Sequence, residues 1–162
     1  MHLVLQHIDF SKTSSLEDIR EEIERLTVER FLLPEEARTV NPENIRAFFE
    51  SSIGSRILRA RSCWREFRFS LLTDATSVLD TPAEGEKVLL QGVVDCLFEE
   101  DGKLIIVDYK TDHVSGEAEM RSRAESYRIQ LETYALAMAR VFDMPVNERI
   151  LFFLESNKAL SI

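Results

Sequence analysis

The chain has 162 residues, 44% of them hydrophobic, values typical of one globular domain. No apolar run approaches the roughly 18 residues of a membrane span and no signal peptide is visible, so we predict no membrane partner. A formal net charge of −9 argues against a free-standing nucleic-acid binder, because such proteins normally present a basic face.

The first 60 residues are predicted to be mainly helical. Apolar spacing, caps and prolines delimit helices from His2 to Phe10, from Ser14 or Ser15 to about Leu32, from Asn41-Pro42 to Phe49, and from Arg56 to Ala60. Ser15 with Asp18 approximates a capping box, Pro34 is expected to end the second helix, and Gly54 is expected to interrupt the chain. Because the chain begins inside an apolar helix, we expect a fragment of a larger polypeptide.

Five arginines precede or enter the first predicted strand: Arg46, Arg56, Arg59, Arg61 and Arg65. We interpret them first as scattered surface charge, and the alternative is a weak patch that contacts phosphates. Residues 63–71 alternate with a period of two, which predicts a strand with Trp64, Glu66 and Arg68 on one face and Phe67 on the other. Glu66 either pairs with Arg68 at the surface or points into a site. Residues 73–86 are predicted to form an exposed loop.

A β-hairpin is predicted around Asp101-Gly102, because this pair lies between two apolar runs and suits a two-residue type I′ turn. The turn fixes the register, which places Glu100 opposite Lys103 and Asp95 opposite Asp108. Like charges directly opposite are destabilising, and a charge in an apolar strand is costly unless it is paired or bound to a metal. A divalent cation between the two aspartates would remove both problems.

Lys110 lies two residues after Asp108 and therefore shares its face, with the carbonyl of Tyr109 between them. Two hard oxygen ligands and an ammonium on one face outline a metal-assisted phosphoryl-transfer site. The alternative is that Asp108 and Lys110 form an ordinary charge pair, since Asp-x-Lys is frequent by chance. The two cysteines, Cys63 and Cys96, lack the spacing of a zinc site or iron–sulfur cluster and are expected to be reduced core thiols.

The last third predicts a helix over about Glu117 to Phe142, broken near Arg123, then strands over Arg149–Leu154 and Ala159–Ile162. Tyr127, Gln130 and Tyr134 form one stripe of the helix, which we expect to face something polar. The order of elements predicts an α/β or α+β domain with a central mixed sheet flanked by helices.

Three segments together resemble the PD-(D/E)xK nuclease superfamily and, within it, the RecB-family nuclease domains of AddA-type helicase–nucleases. They are Gly92 to Asp95, Val107 to Asp112, and Gln130 to Tyr134. The resemblance covers essentially the whole chain. It implies a restriction-endonuclease-like α/β fold in a single domain, 1–162, with 1–60 mainly helical and 62–162 holding the catalytic sheet and helices. It also implies that the chain is a C-terminal fragment of a larger helicase–nuclease.

The resemblance also implies a set of site residues. Asp95, Asp108 and Lys110 would be catalytic; His2, Asp95, Asp108 and the backbone carbonyl of Tyr109 would bind Mg²⁺, for which Mn²⁺ or Ca²⁺ can substitute; Glu66, Gln130 and Tyr134 would be accessory or contact DNA.

The implied activity is that of a magnesium-dependent exonuclease-type deoxyribonuclease acting in double-strand break processing and recombinational repair in the bacterial cytoplasm. Its partners would be DNA, an ATP-dependent helicase part of the same polypeptide, which feeds it single strands, and an AddB-type partner protein. Two alternatives belong to other classes. One is a catalytically silent nuclease-like fold that binds DNA or docks a protein, and the other is an unrelated α+β interaction domain.

Overall fold

The computed structural model describes residues 1–77 and 85–162, so the middle of the predicted loop over 73–86 lies outside the described residues. Its helices are α1 (His2–His7), α2 (Leu16–Val28), α3 (Pro34–Thr39), α4 (Pro42–Glu50), α5 (Ser52–Arg59) and α6 (Glu117–Phe142). Its strands are β1 (Cys63–Asp74), β2 (Lys87–Glu100), β3 (Lys103–Lys110), β4 (Val146–Phe153) and β5 (Lys158–Ser161). Across the described ranges, no helix combines the length and apolar character needed to cross a membrane.

The strands form one sheet in the order β1-β2-β3-β4-β5. Strands β3 and β4 run parallel, joined by α6, and the other neighbours are antiparallel. Helix α6 covers one face of the sheet, and the N-terminal helices α1 to α5 cover the other. The predicted α/β class with a central mixed sheet between helices is confirmed.

The predicted hairpin is confirmed, with positive φ at both Asp101 (52°) and Gly102 (72°). Its register also agrees from Glu100 opposite Lys103 up to Cys96 opposite Val107. There the ladder ends, so the predicted pair of Asp95 with Asp108 does not continue it. Beyond this point β2 continues to pair with β1, and β3 continues to pair with β4. The sheet therefore forks between β2 and β3.

The alternation of faces along β1 differs from the prediction. Trp64 and Phe67 both pack in the layer beneath α6, although they are three residues apart. The intervening Glu66 has a left-handed backbone, with φ of 50°, which reverses the alternation at that residue. On the paired strand β2, Val94 and Leu97 also both lie in the α6 layer. The predicted separation of Trp64 from Phe67 was therefore wrong.

Helix starts were predicted more accurately than helix ends or breaks: α1 ends at His7 and not at Phe10, and α2 ends at Val28 and not near Leu32. The Ser15 capping box with Asp18 is present, and the Asn41 side chain caps α4. Pro34, expected only to end a helix, begins α3, because proline at the first helical position loses no helical hydrogen bond. Helix α6 is continuous through Arg123, since no glycine or proline interrupts it.

Gly54 does not interrupt the chain but lies within α5 against the end of α4. A Cβ atom at this position would be 2.1 Å from the carbonyl oxygen of Phe48 and 2.6 Å from the Cα of Phe49. The glycine therefore permits a close approach of two backbones.

We expect Gly54→Ala to lower the free energy of unfolding by about 1–3 kcal/mol, because the added methyl group meets backbone atoms that cannot rotate away. Urea unfolding of the chain measures this loss. Gly116→Ala is the control, since its Cβ would have no atom within 4 Å. Equal losses in the two variants would contradict the close approach.

Candidate metal centre

Asp95 lies where the sheet forks. Its Oδ2 accepts a hydrogen bond of 2.7 Å from the backbone N–H of Tyr109 on β3. The carboxylate thus accepts a hydrogen bond from a backbone N–H that has no β2 carbonyl partner, because the β2–β3 ladder stops here. The Asp95 side chain is 15% exposed, so it is available from one side.

His2 and Glu66 converge on Asp95 from two other elements. The Nε2 of His2 lies 3.1 Å from Oδ2 of Asp95, and its Nδ1 lies 3.5 Å from Oε1 of Glu66. One ligand atom from each of the three residues lies within 4.8 Å of the other two. The hydrogen bond to Asp95 raises the pKa of His2, against the effect of burial, and the nearby carboxylates add to the rise. The carboxylates of the cluster therefore stabilise a positive charge placed between them.

Asp108 is adjacent but has a different immediate partner. Its Oδ2 lies 2.6 Å from Nζ of Lys110, so the two groups form an ion pair. The angles between them are not those of a hydrogen bond. The Asp108 side chain is only 3% exposed, and burial raises the pKa of its carboxyl, with Lys110 opposing the rise and Asp95 adding to it. A second cation near this carboxylate would lower the cost of its ionisation.

Arg65 holds the helix that carries His2. Its Nη1 donates to the carbonyls of Ile8 at 2.6 Å and Leu5 at 3.2 Å, at the C-terminal end of α1. These carbonyls have no partner within the helix, so the guanidinium satisfies them and ties α1 to β1 one residue before Glu66. Arg65 is therefore neither scattered surface charge nor a free phosphate contact.

On the α6 side, Gln130 and Tyr134 are brought together as the stripe predicted. Gln130 donates to the Tyr134 hydroxyl at 2.9 Å, and the Tyr134 ring packs edge-on against Phe69. A Cβ at Gly92 would lie 2.8 Å from both rings, which explains the glycine there. In the part of the chain that the structure describes, neither Gln130 nor Tyr134 forms a hydrogen bond to Asp95, Asp108 or Lys110.

Tyr127, on the same stripe, is the residue that contacts Lys110, with Nζ 3.8 Å from the ring centroid. The Tyr127 hydroxyl donates to Asp112 at 3.0 Å. Sequence reasoning placed Tyr127 on the stripe but gave it no role. The sequence signal for such a role was the spacing of three residues between Tyr127 and Gln130, which places both on the helix face that was predicted to face something polar.

The donor set fits a hard divalent cation. One imidazole nitrogen and two carboxylates converge, with the Asp108 carboxylate beside them. Oxygen-rich sets of this kind suit Mg²⁺ and Mn²⁺. The structure brings His2, Glu66 and Asp95 together, while Asp108 faces Lys110.

Comparison with known proteins assigns residues 1–160 to the PD-(D/E)XK nuclease superfamily. The chain is 35% identical over 166 residues to an ATP-dependent helicase/nuclease protein of Clostridium kluyveri, covering all of this chain and 13% of that protein. The proteins of the same name from Bacillus pumilus and Desulforamulus reducens are each 37% identical, over 173 and 164 residues, again across the whole chain and 14% and 13% of the relative. The chain therefore spans about one eighth to one seventh of the length of these relatives.

We expect Arg65→Ala to lower the free energy of unfolding by about 1.5–3 kcal/mol, because the α1 carbonyls lose a charged donor. Hydrogen exchange of the α1 amides should rise as the helix loosens. Arg68→Ala is the matched control on the same strand; its side chain is exposed, and the change should stay within about 0.5 kcal/mol. Unchanged α1 exchange in Arg65→Ala would refute the anchoring role.

Proposed function

The chain belongs to the PD-(D/E)XK nuclease superfamily, and we propose that it is a metal-dependent deoxyribonuclease domain hydrolysing DNA phosphodiester bonds. The observation that carries the proposal is the convergence of His2, Glu66 and Asp95 next to the Asp108–Lys110 pair. Phosphodiester hydrolysis needs an activated water and compensation of charge on the phosphate, and acidic ligands beside an ammonium suit both tasks.

Asp95 and Asp108 are the proposed carboxylate ligands of Mg²⁺, completed by His2 and the Tyr109 carbonyl, with Mn²⁺ or Ca²⁺ as substitutes. The ion would lower the pKa of a water molecule and offset negative charge on the scissile phosphate. The Tyr109 amide fixes the Asp95 carboxylate at 2.7 Å, so this ligand is oriented before any cation arrives. Glu66, 3.5 Å from His2, is the proposed accessory acid.

Lys110 is the proposed catalytic ammonium. Its side chain is 14% exposed and lies beside Asp108, so the charge sits at the site with little screening by water. An ammonium here can donate to a non-bridging phosphate oxygen or orient the attacking water. A catalytically silent fold would not require this arrangement, and the presence of both aspartates and the lysine supports activity.

The relatives support a proposal for the substrate path and the partners. Their name couples nuclease with ATP-dependent helicase, and we propose that a helicase part delivers single strands for exonucleolytic cutting during double-strand break repair, with an AddB-type protein as the partner. The bacterial cytoplasm is the compartment that this role implies. Gln130 and Tyr134 would line the strand's path. The net charge of −9 supports delivery of DNA by another part of the machine, since this chain repels DNA overall.

Metal binding tests the ligand assignment. Isothermal titration calorimetry of the chain with MgCl₂ or MnCl₂ should detect a site that Asp95→Asn and Asp108→Asn each weaken at least about tenfold, because each removes a charged oxygen ligand. Glu117→Gln is the control, an exposed carboxylate paired with Arg121 on α6. Unaltered affinity in both aspartate variants would remove the assignment.

Cleavage tests the role of Lys110. With labelled single-stranded DNA and MgCl₂, Lys110→Ala should lower kcat at least about 100-fold, because the transition state loses a charged donor. Lys103→Ala, on the same strand at the exposed turn, should cleave as the parent does. Thermal unfolding of both variants should show cooperative transitions, which establishes that they fold. DNA binding by the parent chain without any metal-dependent cleavage would favour the silent module.

A further inference from the structure

We propose that Tyr127 is a positioning residue for Lys110: its ring holds the ammonium beside Asp108, and Asp112 in turn holds the ring. The role in catalysis rests on the proposed nuclease function. The contact itself does not, and it can be tested separately.

The contact between Lys110 and Tyr127 is close. Nζ of Lys110 lies 3.8 Å from the centroid of the Tyr127 ring, well inside the distance of about 6 Å at which a ring face attracts a cation. Asp108 lies 2.6 Å from the same nitrogen. The ammonium is therefore placed between a carboxylate on its own strand and an aromatic ring on α6.

The ring is fixed by a polar chain of its own. The Tyr127 hydroxyl donates to Oδ2 of Asp112 at 3.0 Å, and Oδ1 of Asp112 lies 3.7 Å from Nη1 of Arg123. Arg123 precedes Tyr127 by one helical turn, while Asp112 follows Lys110 by two residues. These two polar contacts therefore connect α6 to the end of β3. Burial, and then the bond to Asp112, raise the pKa of Tyr127, which keeps the hydroxyl protonated as the donor.

The arrangement gives Lys110 a partner that a bound cation does not remove. A divalent ion at Asp108 would compete with the ammonium for the carboxylate and would repel it. A neutral ring keeps its attraction for the ammonium under those conditions. Tyr127 would therefore keep Lys110 at the site when its ion pair weakens. Tyr134, the neighbouring phenol on the stripe, packs on Phe69 and does not occupy this position.

Proton NMR of the metal-free chain with ¹³C-labelled lysine tests the contact directly. Protons above a ring face are shifted upfield, so the ε-CH₂ signal of Lys110, identified by its loss in Lys110→Arg, should lie upfield of the signals of the other lysines. Tyr127→Leu should return it to their position. Tyr127→Phe, which keeps the ring but loses the bond to Asp112, should leave the signal upfield by a smaller amount. An unshifted signal in the parent chain would overturn the proposal.

Phe142→Leu is the matched control, because it removes an aromatic ring from the same helix about 22 Å farther along, where it packs on Trp64. This variant should lose stability but leave the Lys110 signal in place. Loss of the upfield shift in Phe142→Leu as well would mean that general loosening of α6 explains the result, and the specific role of Tyr127 would be rejected.

Steady-state cleavage of single-stranded DNA with MgCl₂ tests the consequence. Tyr127→Leu should lower kcat about tenfold with little change in KM, and Tyr127→Phe should stay within about threefold of the parent. A raised KM with unchanged kcat would assign Tyr127 to DNA stacking and overturn the positioning role. Full cleavage by Lys110→Ala would overturn the proposed function of Lys110, whereas the NMR shift would still decide whether the ring holds it.

Discussion

The hydrogen bond from the Tyr109 amide to the Asp95 carboxylate is the interaction on which the rest of the site depends. A sheet that forks leaves backbone groups without ladder partners, and an unpaired buried N–H costs about as much as a lost hydrogen bond. Asp95 supplies the missing acceptor and is thereby fixed in orientation. The fork creates the space for a site, and the bond that stabilises the fork positions one of its acids.

Three consecutive residues of β1 connect the site to its surroundings. Arg65 reaches the end of α1, Glu66 reaches His2, and Phe67 packs beneath α6. A regular strand would send Arg65 and Phe67 to the same face. The left-handed backbone of Glu66 separates them, at a cost of about 1–3 kcal/mol for a residue with a side chain. Both helical layers are thus fixed relative to a single acidic residue.

The sequence predicted the features that are encoded locally. The Asp101-Gly102 turn gave the β2–β3 register, the Ser15 box gave the start of α2, and the order of helices and strands led to the mixed sheet. The fork at Asp95, the anchoring by Arg65 and the contact of Tyr127 with Lys110 were not predicted. Each joins elements distant in sequence, so its geometry depends on packing that no local pattern records.

The balance of charge explains how the chain holds three carboxylates at the fork. Two like charges about 4 Å apart repel by about 4 kcal/mol at an effective dielectric of 20, so Asp95, Glu66 and Asp108 need nearby cations. The ammonium of Lys110 supplies one beside Asp108, and the hydrogen bond to Asp95 raises the pKa of His2, which favours its protonated form. In the proposed reaction a metal ion would compete with the Lys110 ammonium for the Asp108 carboxylate and would take the neutral imidazole of His2 as a ligand. With a cation at Asp108, Lys110 would be free to face the phosphate, and its position would depend on the uncharged ring of Tyr127.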